Sequence, residues 1–251
     1  YDNEERLLIC RDVTKLRKLE IEKKDFVANV SHELKTPLTI LSGYLETLIE
    51  VPISDNKKKQ IYSEMSRQSK RMSTLINDLL FISKIHHTKK IISKEEKINI
   101  KILIREICND LKLIKKNKKI KINLNIEANC FLVAEKKKLR SAFSNLIKNA
   151  IMYSKDKGEI NIYWGVNSSN LAEFTVEDSG IGIQSNHIEK LTERFYRVDI
   201  DRSRKSGGTG LGLSIVKEIA DEYNARLEIN SKLGIGSSFK LIFPSTFFEI
   251  N

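Results

Sequence analysis

Between residues 61 and 86 the chain reads Ile61, Met65, Gln68, Met72, Leu75, Leu79, Ile82, His86, stepping alternately by four and three residues. That spacing is a heptad seam, and it restricts the segment to a long helix that buries one stripe against other helices. A similar stripe precedes it in Leu16, Leu19, Phe26, Val30, Leu34, Leu38, Leu41, Leu45 and Leu48. Between the two, Val51-Pro52-Ile53-Ser54-Asp55-Asn56 supplies a turn, with Ser54 or Asp55 suited to cap the second helix. A lone pair of antiparallel helices has too little mass to bury both seams. Pairing with a second copy, giving a four-helix bundle, solves that.

After residue 88 the pattern changes. Residues 89–97 are polar and read as a linker. Beyond them, helical stretches at 99–116, 135–153 and 211–223 alternate with strand-like runs at 119–126, 159–166, 171–177, 226–230 and 237–243. The expectation is a helical hairpin followed by an α/β sandwich. A length of 251 residues, 40% of them hydrophobic and 31% charged, is enough for one large or two ordinary packed domains.

The net charge of +11 raises the question of nucleic acid. Its basic residues fall in short scattered runs (57–59, 115–121, 136–138) with no interleaved aromatic platform. They read as solvated surface, and nucleic acid is not expected as a partner. The cysteines Cys10, Cys108 and Cys130 lack metal or redox spacing, which suits reduced thiols. No apolar run approaches the roughly 18 residues of a membrane span. The chain opens at Tyr1 inside an apolar strand-like stretch, Leu7 to Cys10, and residues 1–12 are read as the end of an upstream domain.

The first chemically suggestive segment is Phe26-Val27-Ala28-Asn29-Val30-Ser31-His32-Glu33-Leu34-Lys35-Thr36-Pro37. His32 falls between the seam positions Val30 and Leu34, so its ring is free to face solvent. The adjacent Glu33 can hold the Nδ1–H and leave the Nε2 lone pair as nucleophile. Pro37 has no N–H for the carbonyl of Glu33, so the helix should bend beside His32.

Further on, Asn145, Asn149 and Tyr153 recur every four residues, on a helix face separate from the stripe Leu139, Ala142, Phe143, Leu146 and Ala150. A row of amides often serves core hydrogen bonding. Facing a cleft, the same amides offer oxygen ligands to Mg²⁺. Asp178-Ser179-Gly180-Ile181-Gly182 follows a strand and alone would pass for an ordinary turn. The glycines of Gly207 to Gly212 precede a helix whose free N–H groups suit phosphate. The run is neither a Walker A loop nor a dinucleotide fingerprint.

Taken in order, these segments resemble the H box (His32), N box (Asn145 to Ser154), G1 box (Asp178 to Ile183), F box (Glu193-Arg194-Phe195-Tyr196-Arg197) and G2 box (Gly208-Thr209-Gly210-Leu211-Gly212-Leu213) of sensor histidine kinases, with Gly234-Ile235-Gly236 as a final glycine motif. The resemblance implies a dimerisation and phosphotransfer hairpin over 13–88 and a Bergerat-type (GHKL) α/β sandwich over 98–247. It implies that His32 accepts the γ-phosphoryl group of Mg·ATP, assisted by Glu33, and that Arg197 meets the γ-phosphate. Asn149 would be the Mg²⁺ ligand with Asn145 assisting, Tyr153 would pack near adenine, and Asp178 would accept from its amino group. Gly180, Gly182, Phe195, Gly208, Thr209, Gly210, Leu211 and Gly212 complete the implied ATP site.

Residues 184–206 would form a lid over ATP, with Arg194, Arg202 and Arg204 as solvated charges. His86, His87 and His187 receive no role. Thr36, one turn beyond His32, would position a water that hydrolyses a phospho-aspartate. The implied partners are a second copy of the chain and the receiver domain of a response regulator. Membrane attachment would come only through missing N-terminal segments, at the cytoplasmic face of a bacterial inner membrane.

Leu41-Ser42-Gly43-Tyr44-Leu45-Glu46-Thr47 and Leu139-Arg140-Ser141-Ala142 resemble the branch of the family that signals phosphate starvation, and Arg11-Asp12-Val13-Thr14 resembles the junction after a sensory PAS domain. A nucleotide-driven clamp ATPase is disfavoured by the H box on a heptad-bearing hairpin. A scaffold without turnover is favoured only by Met152, where many family members carry Lys.

Overall fold

A computed structural model of the chain describes residues 11–87, 96–111, 118–127, 130–198 and 208–250. It divides into two compact units, the first ending at Met72 and the second beginning at Ser73. Two long helices lead the chain, α1 over Thr14–Glu50 and α2 over Asp55–His87. Helix α1 continues through Pro37. Asp55 stands in the first turn of α2, where the helix dipole favours a carboxylate.

The seam positions of α2 are its inward ones: Ile61, Gln68, Leu75 and Ile82 are buried. On α1 the apolar residues Leu16, Leu38, Leu45 and Ile49 remain exposed. A stripe of that kind costs free energy in water unless something covers it.

The rest of the second unit is the α/β part. Its main sheet has the order β2-β4-β5-β7-β6, built from β2 (Lys121–Ile126), β4 (Glu159–Val166), β5 (Ala172–Asp178), β6 (Arg226–Lys232) and β7 (Gly236–Phe243). Strands β2 and β4 run parallel, and the other pairs are antiparallel. The inward residues of β4 and β5 alternate as a half-buried sheet requires, with Ile160, Ile162, Trp164, Phe174 and Val176 shielded from water.

Helices α3 (Ile100–Asp110), α4 (Lys136–Tyr153) and α6 (Gly212–Glu222) supply apolar faces to this core, and α4 lies against β5, α3 and α6. Phe143 of α4 stacks on Phe174 at 3.8 Å between ring centroids. The short α5 (Ser185–Ile188) follows β5.

Three differences from the sequence reading concern boundaries. A second sheet of order β1-β3-β8 joins Glu96–Asn99, Cys130–Ala134 and Phe248–Ile250. Residues 96 and 97, read as linker, therefore open β1, and the sandwich runs past residue 247 to include β8. Helix α3 ends at Asp110 rather than at 116, and residues 112–117 lie outside the described ones. Most of residues 1–12, most of the linker, and the lid residues 199–206 with Arg202 and Arg204 also lie outside them, as do Gly207 and Cys10.

Candidate functional site

Helix α4 carries the four-residue repeat, and its geometry explains why that spacing matters. Residues four apart sit one above another, so Asn145, Asn149 and Tyr153 all reach the same cavity. The opposite stripe (Leu139, Phe143, Leu146, Ile147) is buried in the core and fixes the rotation of the helix. Nδ2 of Asn145 donates to the carbonyl of Ser141 at 3.0 Å. Its Oδ1 lies so near α6 that a β-carbon on Gly212 would come within 2.8 Å of it. A side chain at the first residue of α6 would force that amide to move.

The cavity is walled by Asp178, Ile181, Gly182 and Ile183 after β5, by Tyr196, Arg197 and Val198, by Gly208, Thr209, Gly210, Gly212 and Leu213 at the start of α6, and by Ser237 and Phe239 of β7. Most of the residues proposed from sequence for nucleotide binding thus meet on one cavity. Gly180, Phe195 and Leu211 do not line it, although their backbones bond to residues that do. The N–H of Gly180 donates to Oδ1 of Asp178 at 2.8 Å. Phe195 holds a φ of 66°, and its N–H donates to the carbonyl of Gly210 at 2.9 Å. Gly210 has a φ of 75°, and a β-carbon there would stand 2.8 Å from the Cα of Phe195. Two left-handed residues face each other at that point, one of them a bulky aromatic for which the conformation is strained.

Asp178 ends β5 with its side chain buried. Burial pushes its carboxyl up to about 6, against the backbone donors of Gly180 and Ser237, which pull it down. A desolvated acceptor at the floor of a cavity is suited to a ligand N–H donor. Asp78, from the second half of α2, also lines the cavity; burial raises its carboxyl, opposed by the hydroxyl of Thr209 and the charge of Lys148. Thr209 Oγ1 donates to Asp78 Oδ2 at 2.9 Å and accepts from the N–H of Leu211 at 3.3 Å.

Asp78, Thr74 and Tyr196 were not foreseen from sequence. Asp78 and Thr74 lie off the heptad seam that dominated the reading of α2. Lys148 and Met152 share the same wall.

Two charges differ from their sequence reading. Arg194 is not a solvated lid charge: its Nε and Nη2 donate to Oε1 of the well-shielded Glu218 at 3.2 and 2.6 Å, tying the segment to α6. His187, given no role, places Nδ1 2.6 Å from the hydroxyl of Tyr196 on the cavity wall. Among the described residues, no group of three or more His, Cys, Asp or Glu could hold a metal.

The histidine-bearing segment singled out from sequence, residues 26–37, lies in the first unit. His32 is exposed on α1. Oε2 of Glu33 accepts from Nη2 of Arg71 at 2.8 Å, an ion pair with little of either side chain exposed. Thr36 Oγ1 donates back to the carbonyl of His32 at 3.2 Å. Pro37 is buried.

Comparison with known proteins agrees with both halves. Residues 22–88 match the His Kinase A (phospho-acceptor) domain, and residues 134–246 match the histidine kinase-, DNA gyrase B-, and HSP90-like ATPase. The chain belongs to the sensor histidine kinases. It is 43% identical over 244 residues to the phosphate regulon sensor protein PhoR of Pseudomonas aeruginosa, covering 97% of this chain and 55% of that protein. It is 37% identical to the sensor protein kinase WalK of Staphylococcus haemolyticus, over 95% of this chain and 39% of that one. The chain thus spans about half the length, or less, of the curated relatives it matches.

Among solved structures, histidine kinase ThkA in complex with the response regulator TrrA has a TM-score of 0.70 at 23% identity, over 94% of this chain and 68% of that chain. Acinetobacter baumannii histidine kinase AdeS has a TM-score of 0.68 at 22% identity, over 85% and 98%. Both show the same fold. No helix among the described residues is long and apolar enough to cross a membrane.

Proposed function

We propose that this chain is the kinase core that moves the γ-phosphoryl group of Mg·ATP onto His32 and passes it to an aspartate of a response regulator. The observation that carries the reading is the convergence of Asn145, Asn149, Tyr153, Asp178 and Arg197 on one cavity at the N-terminus of α6. The buried carboxylate of Asp178 accepts from the adenine amino group, and Tyr153 packs on the base. The N–H groups at the start of α6 and the guanidinium of Arg197 meet the phosphates.

Asn149 lines the cavity, where its amide oxygen would be offered, and Asn145 lines it one turn earlier. That fits Mg²⁺, which needs few protein ligands because it keeps waters and takes phosphate oxygens. When bound, it would neutralise phosphate charge.

On α1 the exposed imidazole of His32 is the nucleophile. Glu33, held from α2 by Arg71, takes up or holds the ring proton. Positioning and electrostatics supply most of the rate in such a transfer. Thr36, its hydroxyl one turn beyond His32, orients the water that hydrolyses the regulator's phospho-aspartate.

The exposed leucines of α1 support a homodimer closed as a four-helix bundle. We assign 13–88 to the hairpin, 89–95 to the linker and the remainder to ATP binding, with residues 1–12 ending a sensory domain. The likeness to PhoR supports phosphate-starvation signalling. Membrane-anchoring parts would lie outside this chain, in a parent at the cytoplasmic face of the inner membrane.

Incubation with γ-labelled Mg·ATP tests the reading. Acid-labile, alkali-stable label on the protein is expected. Label that resists acid, or none, would contradict it.

A further inference from the structure

Helix α4 ends where its chemistry is concentrated, and its last carbonyls need partners because no further turn supplies N–H groups. The carbonyl of Ala150 takes both the N–H and the hydroxyl of Ser154, at 3.0 and 2.7 Å. That of Tyr153 takes the N–H of Ile181 at 3.3 Å. The carbonyls of Ile151, Met152 and Ser154 all accept from the ammonium of Lys118, at 3.2, 2.7 and 2.8 Å. A lysine has three N–H donors, and here each has a carbonyl.

Lys118 precedes β2 and is more than thirty residues away in sequence, within a basic run that reads as surface charge. Its position is itself fixed. The next residue's N–H donates to Oδ1 of Asp156 at 2.9 Å, and the N–H of Lys121 donates to the carbonyl of Gly158 at 2.9 Å.

We infer that Lys118 is a positioning residue of the nucleotide site. By cross-linking the carbonyls that end α4, it holds Met152 and Tyr153 on the cavity wall, with Asn149 one turn earlier. Without it the last turn frays, as helix ends with unpaired carbonyls do, and nucleotide binding must then re-order it. The inference rests on the reading of this cavity as the ATP site.

The test uses the full chain with Lys118→Met, Lys118→Gln and Lys118→Arg. Mg·ATP affinity comes from calorimetry, labelling rate is taken at saturating nucleotide, and amide exchange is followed across residues 149–155 without nucleotide. For Lys118→Met we expect faster exchange of these amides and a Kd raised roughly ten-fold, the cost of re-ordering one or two residues. The saturated rate should stay within about twofold, because no group that touches the reacting atoms is removed. Lys118→Arg should restore most of the affinity, and Lys118→Gln should fall between.

Unchanged Kd in Lys118→Met, or a saturated rate that falls with affinity, would overturn the inference. If Lys118→Met does not fold, Lys118→Gln against Lys118→Arg decides in the same way. Wild-type chain that binds no Mg·ATP would overturn the ATP reading instead, and the exchange data alone would then show whether Lys118 holds the helix end.

Discussion

Replacing Asp178 by Asn should make the nucleotide-free fold more stable while depriving it of ATP. A rise from 3.8 to about 6 for its carboxyl corresponds to a cost of about 3 kcal/mol for keeping the charge buried at neutral pH. Asparagine keeps an oxygen for the N–H of Gly180 and carries no charge. Its amide N–H groups face the cavity, where solvating them incompletely costs about 1 to 2 kcal/mol. The net gain expected at pH 7.5 is therefore about 1 to 2 kcal/mol.

The sign with pH follows from the proton. A carboxyl whose pKa is higher in the fold than in the unfolded chain makes stability greatest at low pH and erodes it as pH rises from about 4 to about 6. Near pH 5 the wild-type cost is only about half its neutral value, so the advantage of Asp178→Asn should shrink by more than 1 kcal/mol. Urea unfolding followed by Trp164 fluorescence measures this. Trp164 is the single tryptophan and is fully buried in β4, the strand beside β5. Saturating Mg·ATP at one hundred times Kd should add about 2.7 kcal/mol to wild type and far less to the variant. A variant less stable than wild type at both pH values, or an advantage independent of pH, would refute the argument from desolvation.

Other consequences are direct. Glu33→Gln should slow labelling by roughly 10² to 10⁴, the contribution of a positioned acid–base group; a rate within twofold would leave Glu33 as the partner of Arg71 alone. Thr36→Ala should keep autophosphorylation and lose phosphatase activity towards the phosphorylated regulator, and equal loss of both would indicate a helix defect. Met152→Lys tests the departure from the family pattern. If its thioether replaces a phosphate contact, lysine would tighten Mg·ATP binding by roughly threefold to tenfold. Lys148 lines the same cavity, so we expect less than about threefold in a low-salt titration, and a tenfold gain would show that Lys148 does not serve the phosphates.

The legible parts of this protein were those written in one periodicity. The seam from Ile61 to His86 announced the long helix observed over Asp55–His87, and the repeat of Asn145, Asn149 and Tyr153 announced a shared face, because both follow the helical period of about 3.6 residues per turn. The sheet β1-β3-β8 was missed because strands of three to five residues give no alternation to read, and Cys130–Ala134 is a nearly continuous apolar run. Long-range polar pairings left no local mark. Nothing around Lys118, Arg194 or Asp78 distinguishes them from surface charges. Their partners, the end of α4, Glu218 and Thr209, lie 24 or more residues away.

His32 is proposed as the phosphoryl acceptor, and the cavity as a site that binds Mg·ATP independently of it. Labelling His32→Gln with γ-labelled Mg·ATP, alongside calorimetry of nucleotide binding, tests both parts at once. No acid-labile label is expected, with Mg·ATP affinity within about twofold of wild type, since only an exposed side chain outside the cavity is changed. Alkali-stable label persisting on His32→Gln would place the acceptor at another residue and overturn the assignment of His32.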